Sequence, residues 1–214
     1  MKGMLMLTKG MLFVVLFMTL LSTSEVSDSL SEVSNLSPAP TIFTEEEFKV
    51  QNKAKNITVK IGDTRAEVEQ QLGKHVDYYY HTNVYQYKGM WIHYKEGIVD
   101  GIVIDDAAAK SKKYKTPSGI GYGSTIQEVI QQYGKKAFID SNQRKVRSIT
   151  YLMERDKQGN YSVITSFDKF VLEGGYENLM ILSMVLDQQS RVSFLMIADY
   201  EFAYHPEHRW TETQ

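Results

Sequence analysis

Few residue groups in this chain have the types and spacing that chemistry needs. His205-Pro-Glu-His208 sets two imidazoles three residues apart with Glu207 between them, which is the beginning of a metal site. A metal centre takes about three or more converging ligands, and the other histidines, His75, His81 and His93, stand far upstream. There is no H-E-x-x-H and no cysteine, so the tail reads as solvated chain and no metal site is expected. His81 and His93 can meet across neighbouring strands, but two imidazoles without a carboxylate specify nothing. Gly119-Ile-Gly121-Tyr-Gly123 runs into a predicted helix, whose first N–H groups can hold an anion. It lacks the dinucleotide spacing and any Gly-Lys-Ser/Thr, so turn geometry is the expectation. Asp105-Asp106 is one of the acid pairs that any chain with 26 acids contains. With no G-x-S-x-G elbow and no thiol, no catalytic residue and no cofactor is assigned.

The densest chemical feature is aromatic. Tyr78, Tyr79, Tyr80, Tyr85, Tyr87, Trp91 and Tyr94 fall within residues 78–94. Strand alternation puts Trp91, His93 and Lys95 on one face and Met90, Ile92 and Tyr94 on the other. The second set is expected to be core beneath a helix. The first joins a large aromatic to polar heads, as binding surfaces do. Trp91, His93, Tyr85 and Tyr87 are therefore the candidate binding residues, with Trp91 and His93 expected to point outward. The competing explanation is that tyrosine simply suits strands.

Composition narrows the classes. Of 214 residues, 43% are hydrophobic and 23% charged, the mix of a folded globule. The formal charge is −2, which supplies no basic surplus for phosphate contacts, so no nucleic-acid partner is expected. Lys2 and Lys9 precede Met11–Leu21, in which ten of eleven residues are apolar, and Ser22-Thr-Ser24 follows. That is the pattern of an export signal over residues 1–24, too short to span a bilayer comfortably. The alternative is an uncleaved anchor extended by Met4–Leu7, which would be the chain's single link to a membrane. Cleavage after Ser24 removes two lysines and no acid, leaving 22 basic and 26 acidic residues, a charge of −4.

The elements that must position these groups are announced by a duplication. Ile61–Lys74 aligns with Tyr122–Lys135 without a gap, identical at eight of fourteen positions. Gly62 and Gly123 suit a tight turn. Thr64 and Thr125 are N-caps, with Glu67 and Glu128 closing capping boxes. Val68 and Leu72 share one face of a first helix, and Ile126, Val129, Ile130 and Tyr133 form the same stripe on a second. Gly73 and Gly134 end the helices, expected at 65–72 and 126–133. Two short helices cannot stand alone, and the strand signals supply their support: Val76–His81, Val84–Tyr94 with a bend at Gly89, Ile98–Ile104, Val146–Met153, Tyr161–Leu172, Leu179–Leu186 and Arg191–Ala198. Their short links predict antiparallel meanders. Leu179–Leu186 is apolar on both faces except at Ser183, so it is expected to be covered on both sides.

The expected organisation is a signal peptide at 1–24, a Ser-rich linker with a short helix at 25–55, repeat one at 56–116, repeat two at 117–204 and a polar tail at 205–214. Thr44-Glu-Glu-Glu47 predicts a capping box opening a helix over 45–54. The fold class expected is α+β, with two tandem repeats, each a short helix packed on an antiparallel sheet.

The pattern G-[D/S]-T-x-x-E-V-x-x-x-[L/Y]-G, present twice and followed by antiparallel strands, resembles a family of exported bacterial modules. These include the SmpA/OmlA outer-membrane assembly lipoproteins and the beta-lactamase inhibitory protein. The resemblance covers residues 57–104 and 119–198. Gly62, Thr64, Glu67, Val68 and Gly73 match in the first copy, and Gly123, Thr125, Glu128, Val129 and Gly134 in the second. In that family the matched residues are structural, so the resemblance implies an inhibitor-like fold and no active site. The acylated cysteine of the lipoproteins and the disulfides of the inhibitors are absent here. The functional expectation is an exported, non-catalytic module that binds a protein at the cell envelope or outside the cell. Two alternatives stay open: a small-ligand or glycan binder using the aromatic face of repeat one, and an enzyme without a familiar motif.

Overall fold

A computed structural model describes residues 42–80, 82–105, 113–142, 145–165 and 176–204. The export segment, the Ser-rich linker up to residue 41, His81, Asp106, residues 166–172 of the predicted strand and the tail with His205 and His208 lie outside the described residues. The chain runs through β1 (Lys49–Asn52), β2 (Ile57–Lys60), α1 (Arg65–Leu72), β3 (Asp77–Tyr79), β4 (Val84–Tyr87), β5 (Met90–Lys95) and β6 (Ile98–Asp105). It continues through α2 (Ile126–Tyr133), β7 (Phe138–Asn142), β8 (Lys145–Arg155), β9 (Tyr161–Ile164), β10 (Leu179–Leu186), β11 (Val192–Asp199) and α3 (Tyr200–Tyr204). The class is α+β. One nine-stranded antiparallel sheet, ordered β3-β4-β5-β6-β11-β10-β8-β7 with β9 beside β8, takes the place of one sheet per repeat. β1 and β2 form a separate two-stranded ribbon.

Both duplicated helices occupy the expected residues, and the reason is local. In α1 the Thr64 hydroxyl accepts from the Glu67 N–H, while the Glu67 carboxylate accepts from the Thr64 N–H at 2.7 Å. Thr125 and Glu128 repeat the exchange on α2. These N–H donors hold the Glu67 and Glu128 carboxyls below their ordinary range. Gly73 and Gly134 end the helices at φ 78° and 87°, a backbone region costly for residues with a Cβ. α2 buries Ile126, Val129, Ile130 and Tyr133, whereas α1 fully buries Val68 alone. Each helix start is tied to a hairpin turn: Arg65 N–H donates to Gly97 O, and Ile126 N–H to Ser190 O.

The sheet is apolar on both faces. The helix-side core holds Tyr87, Ile92, Tyr94, Ile102, Ile104, Tyr151, Leu182, Met184, Leu195 and Ile197. On the opposite face Leu152, Leu179, Ile181, Met196 and Ala198 cluster with Tyr200 and Ala203 of α3. β10 feeds both clusters, as its sequence requires, and its half-buried Ser183 meets Thr150 at 2.8 Å.

Three expectations about elements are corrected. The helix over 45–54 is instead a 3-10 turn at Glu45–Glu47, strand β1 and a second 3-10 turn at Lys53–Lys55. Val50 and Asn52 alternate inward and Val50 pairs with Val59, a period-two burial that no helix satisfies. Thr44 makes no side-chain cap, and the Glu47 carboxylate turns to Ser118 and Tyr133. At Gly89 (φ 105°) the chain does more than bend. Lys88-Gly89 is a two-residue hairpin loop that pairs Tyr87 with Met90. The segment Val76–His81 contributes only the short edge strand β3 among the described residues.

Candidate functional site

β5 presents its residues in the expected alternation, but neither face is open. Met90, Ile92 and Tyr94 enter the helix-side core. Trp91 is 9% exposed and His93 3%, so the outward orientation expected for them is corrected. For His93 the physical reason is α3, a helix that periodicity did not announce. Its Phe202 ring stacks on the His93 ring with centroids 4.5 Å apart and planes 23° apart. Trp91 donates its indole N–H to Asp105 at 3.1 Å and packs against Tyr79. Lys95 is exposed, with Glu201 of α3 at 2.7 Å.

Beneath Phe202 lies a buried imidazole–carboxylate pair. The register of β5 on β6 slips between His93 and Tyr94, leaving Asp100 as the extra residue of a bulge. The bulge re-aims the Asp100 side chain, and its Oδ1 stands 2.5 Å from His93 Nδ1. A pair of this kind orients an imidazole and compensates its charge. Asp199 follows at the end of β11, where burial pushes its carboxyl up to about 6 while it accepts the Phe202 N–H. Asp100 and Asp199 were missed at the sequence level, because a bulge and a five-residue helix leave no periodic signal.

The remaining candidates separate. Tyr87 is buried and its hydroxyl meets that of Tyr94 at 2.9 Å; burial pushes both phenols up. Tyr85 is half-buried on the helix side and forms the centre of an aromatic surface. Tyr78, its partner across β3 and β4, lies against it with centroids 4.4 Å apart. The Arg65 guanidinium sits 4.3 Å over the Tyr85 ring and pairs with Glu69 at 2.9 Å. His75 meets the Tyr85 ring edge-on at 5.0 Å. Beside this array Tyr78 is 40% exposed, Val76 57% and Tyr80 70%. Arg65 was missed; the signal for it is that Ile126 holds the matching position in the second copy, a buried apolar residue against a cation.

Gly119, Gly121 and Gly123 build turns, as expected, rather than a phosphate cradle. Their N–H groups are engaged by Thr116 O, Ser124 Oγ and Val192 O. A Cβ on Gly121 would stand 2.5 Å from Tyr114 O, so close backbone approach requires glycine there. Among the described residues no group of three His, Asp or Glu side chains converges to hold a metal ion. No described helix is long and apolar enough to cross a membrane. Comparison with known proteins returned no matching family model, no matching curated protein and no matching solved structure.

Proposed function

We propose that this chain is an exported, non-catalytic binding module built from two copies of one helix-on-sheet unit, recognising a protein at the cell surface, in the envelope or outside the cell. The observation that carries the binding reading is the aromatic edge: Tyr78, Tyr80 and Val76 exposed together beside Tyr85 and Arg65. Tyrosine and arginine are the side chains that dominate protein-binding hot spots, because they combine large contact area with polar reach. His93 stands under α3 and Trp91 is buried against Tyr79, so both are left out of this surface.

The duplication is supported by matching hydrogen bonds. Gly62 N–H donates to Val99 O and Val99 N–H to Asp63 O; Gly123 and Ser124 repeat both bonds with Val192. Val99 and Val192 are then equivalent, an offset of 93 residues. β6 and β11 lie side by side at the centre of the sheet, and Val103 pairs with Met196, its own equivalent at that offset. Pairing of equivalent residues is what an approximate two-fold axis between the halves requires. Four strands then flank it on either side, with β9 as an addition to the second copy.

The test is capture on the exporting cell's surface with the mature chain, beside a Tyr78→Ala/Tyr80→Ala variant. Retention of one defined protein should fall tenfold or more in the variant while its melting temperature holds. Retention independent of both tyrosines, or displaced by soluble glycans, overturns the reading. Terminal sequencing of secreted material should begin at or near Glu25; full-length chain held in the membrane overturns the export reading.

A further inference from the structure

We infer that a second site, separate from the aromatic edge, binds compact polyanions of the phosphate or sulfate type. It is the cleft between the 3-10 turn at Lys53–Lys55 and the segment leading from Lys113 to Gly119. The cleft has a volume of about 410 Å³ and is lined by Lys53, Lys55, Lys113 and Lys115, with Ala54 and Pro117 among its walls. That volume falls within the range of small-molecule sites. None of the described residues lining it is acidic.

Three features point to an anion. First, the fold brings the cations to one cleft. Gln51 and Lys115 exchange both backbone hydrogen bonds, at 2.8 and 3.0 Å, in an antiparallel bridge. Lys53 and Lys55 lie in the 3-10 turn just beyond Gln51, and Lys113 stands two residues before Lys115, so all four cations border the one cleft. Like charges gathered around one cleft repel one another unless a counter-charge joins them. Secondly, among the described residues Lys53, Lys55 and Lys113 form no ion pair, although the chain as a whole carries net negative charge. Thirdly, the frame beneath them is firm: Asn52, Tyr114 and Thr116 are all buried.

The donor set selects the kind of anion. Every cation is a lysine, a point charge suited to compact phosphate or sulfate groups. No arginine lines the cleft to grip a carboxylate through two parallel hydrogen bonds. Four ammonium groups around one cleft match a ligand carrying more than one such group better than a single monoanion.

Calorimetric titration of the mature chain with tripolyphosphate at low ionic strength tests the site. Saturable binding is expected, weakening steeply as salt is added. Lys53→Gln/Lys113→Gln should weaken it tenfold or more, Lys53→Arg/Lys113→Arg should retain it, and Lys60→Gln, an exposed lysine outside the cleft, should leave it unchanged. Sedimentation with phosphatidylglycerol vesicles separates the sources. Vesicle binding that tripolyphosphate displaces and the double glutamine variant loses assigns the site to lipid headgroups; tripolyphosphate binding without vesicle binding assigns it to a soluble anion. The inference is overturned by no saturable binding, or by equal binding in the glutamine variant with an unchanged far-ultraviolet spectrum. Tyr78→Ala/Tyr80→Ala should bind tripolyphosphate normally, so failure of the protein-binding reading and failure of this one are distinguishable.

Discussion

Gly101 and Phe202 lock α3 to the sheet, and a double-mutant cycle exposes that contact. A Cβ placed on Gly101 would stand 2.4 Å from Phe202 Cδ1 and 2.6 Å from Cε1. Carbon atoms prefer about 3.5–4.0 Å, so the ring would have to withdraw by roughly 1 Å and give up its stack on His93. Overpacking of this kind costs about 1–3 kcal/mol, which is the expectation for Gly101→Ala. Phe202 is half-buried, so Phe202→Ala should cost roughly half of the 3–5 kcal/mol typical of a fully buried phenylalanine. In the Phe202→Ala background the obstruction is gone. Gly101 does not use the left-handed backbone region, so alanine there should then stabilise by about 0.4–1 kcal/mol through the unfolded chain. The effect of one substitution therefore changes sign with the other, a coupling of about 1.5–4 kcal/mol. Urea denaturation of the four proteins measures it. Equal destabilisation by Gly101→Ala in both backgrounds would refute the seat of Phe202 on Gly101.

Trp91→Ala should cost about 3–5 kcal/mol, comparable with the about 2–5 kcal/mol of Ile92→Ala, because both faces of β5 are covered; a Trp91→Ala protein of wild-type stability would show that face open to water. Thr64→Ala and Thr125→Ala should each cost about 0.5–2 kcal/mol in thermal unfolding, and their sum should be additive, since the caps share no partner; a null effect at either cap counts against the helix start drawn there. Asp199 has its folded carboxyl raised to about 6 against about 3.9 in an unfolded chain. The folded state thus binds this proton more tightly, and ionised Asp199 costs stability above about pH 6, a cost that fades as pH falls toward 4. That difference corresponds to roughly 3 kcal/mol. Asp199→Asn keeps an acceptor for the Phe202 N–H, so it should raise the melting temperature at pH 7.5 and change it little at pH 4. The same gain at both pH values would refute the assignment.

The duplicated motif made both helices legible in the sequence to the residue. A Thr hydroxyl, a Glu carboxylate three residues on and a terminal Gly act within one helix and need no distant partner. β10 was equally legible, since an apolar run can be satisfied only by cover on both faces. The alternation of Met90–Lys95 was also read correctly, and Met90, Ile92 and Tyr94 are core. What alternation cannot state is whether the second face meets water. At His93 that depended on α3, whose five residues carry too little pattern to announce a helix, and which is placed by Phe202 filling the space that Gly101 leaves empty; at Trp91 it depended on Tyr79. The His93–Asp100 pair depended on a one-residue register slip, and the lysine cleft on a bridge between residues 51 and 115. The sequence by itself determined the capped helices, the apolar strands and the excess of tyrosine, because those are set by interactions a few residues long. The tertiary structure decided which aromatic face stays open and which cations meet, because burial and Coulomb repulsion act between groups that only the folded chain brings together.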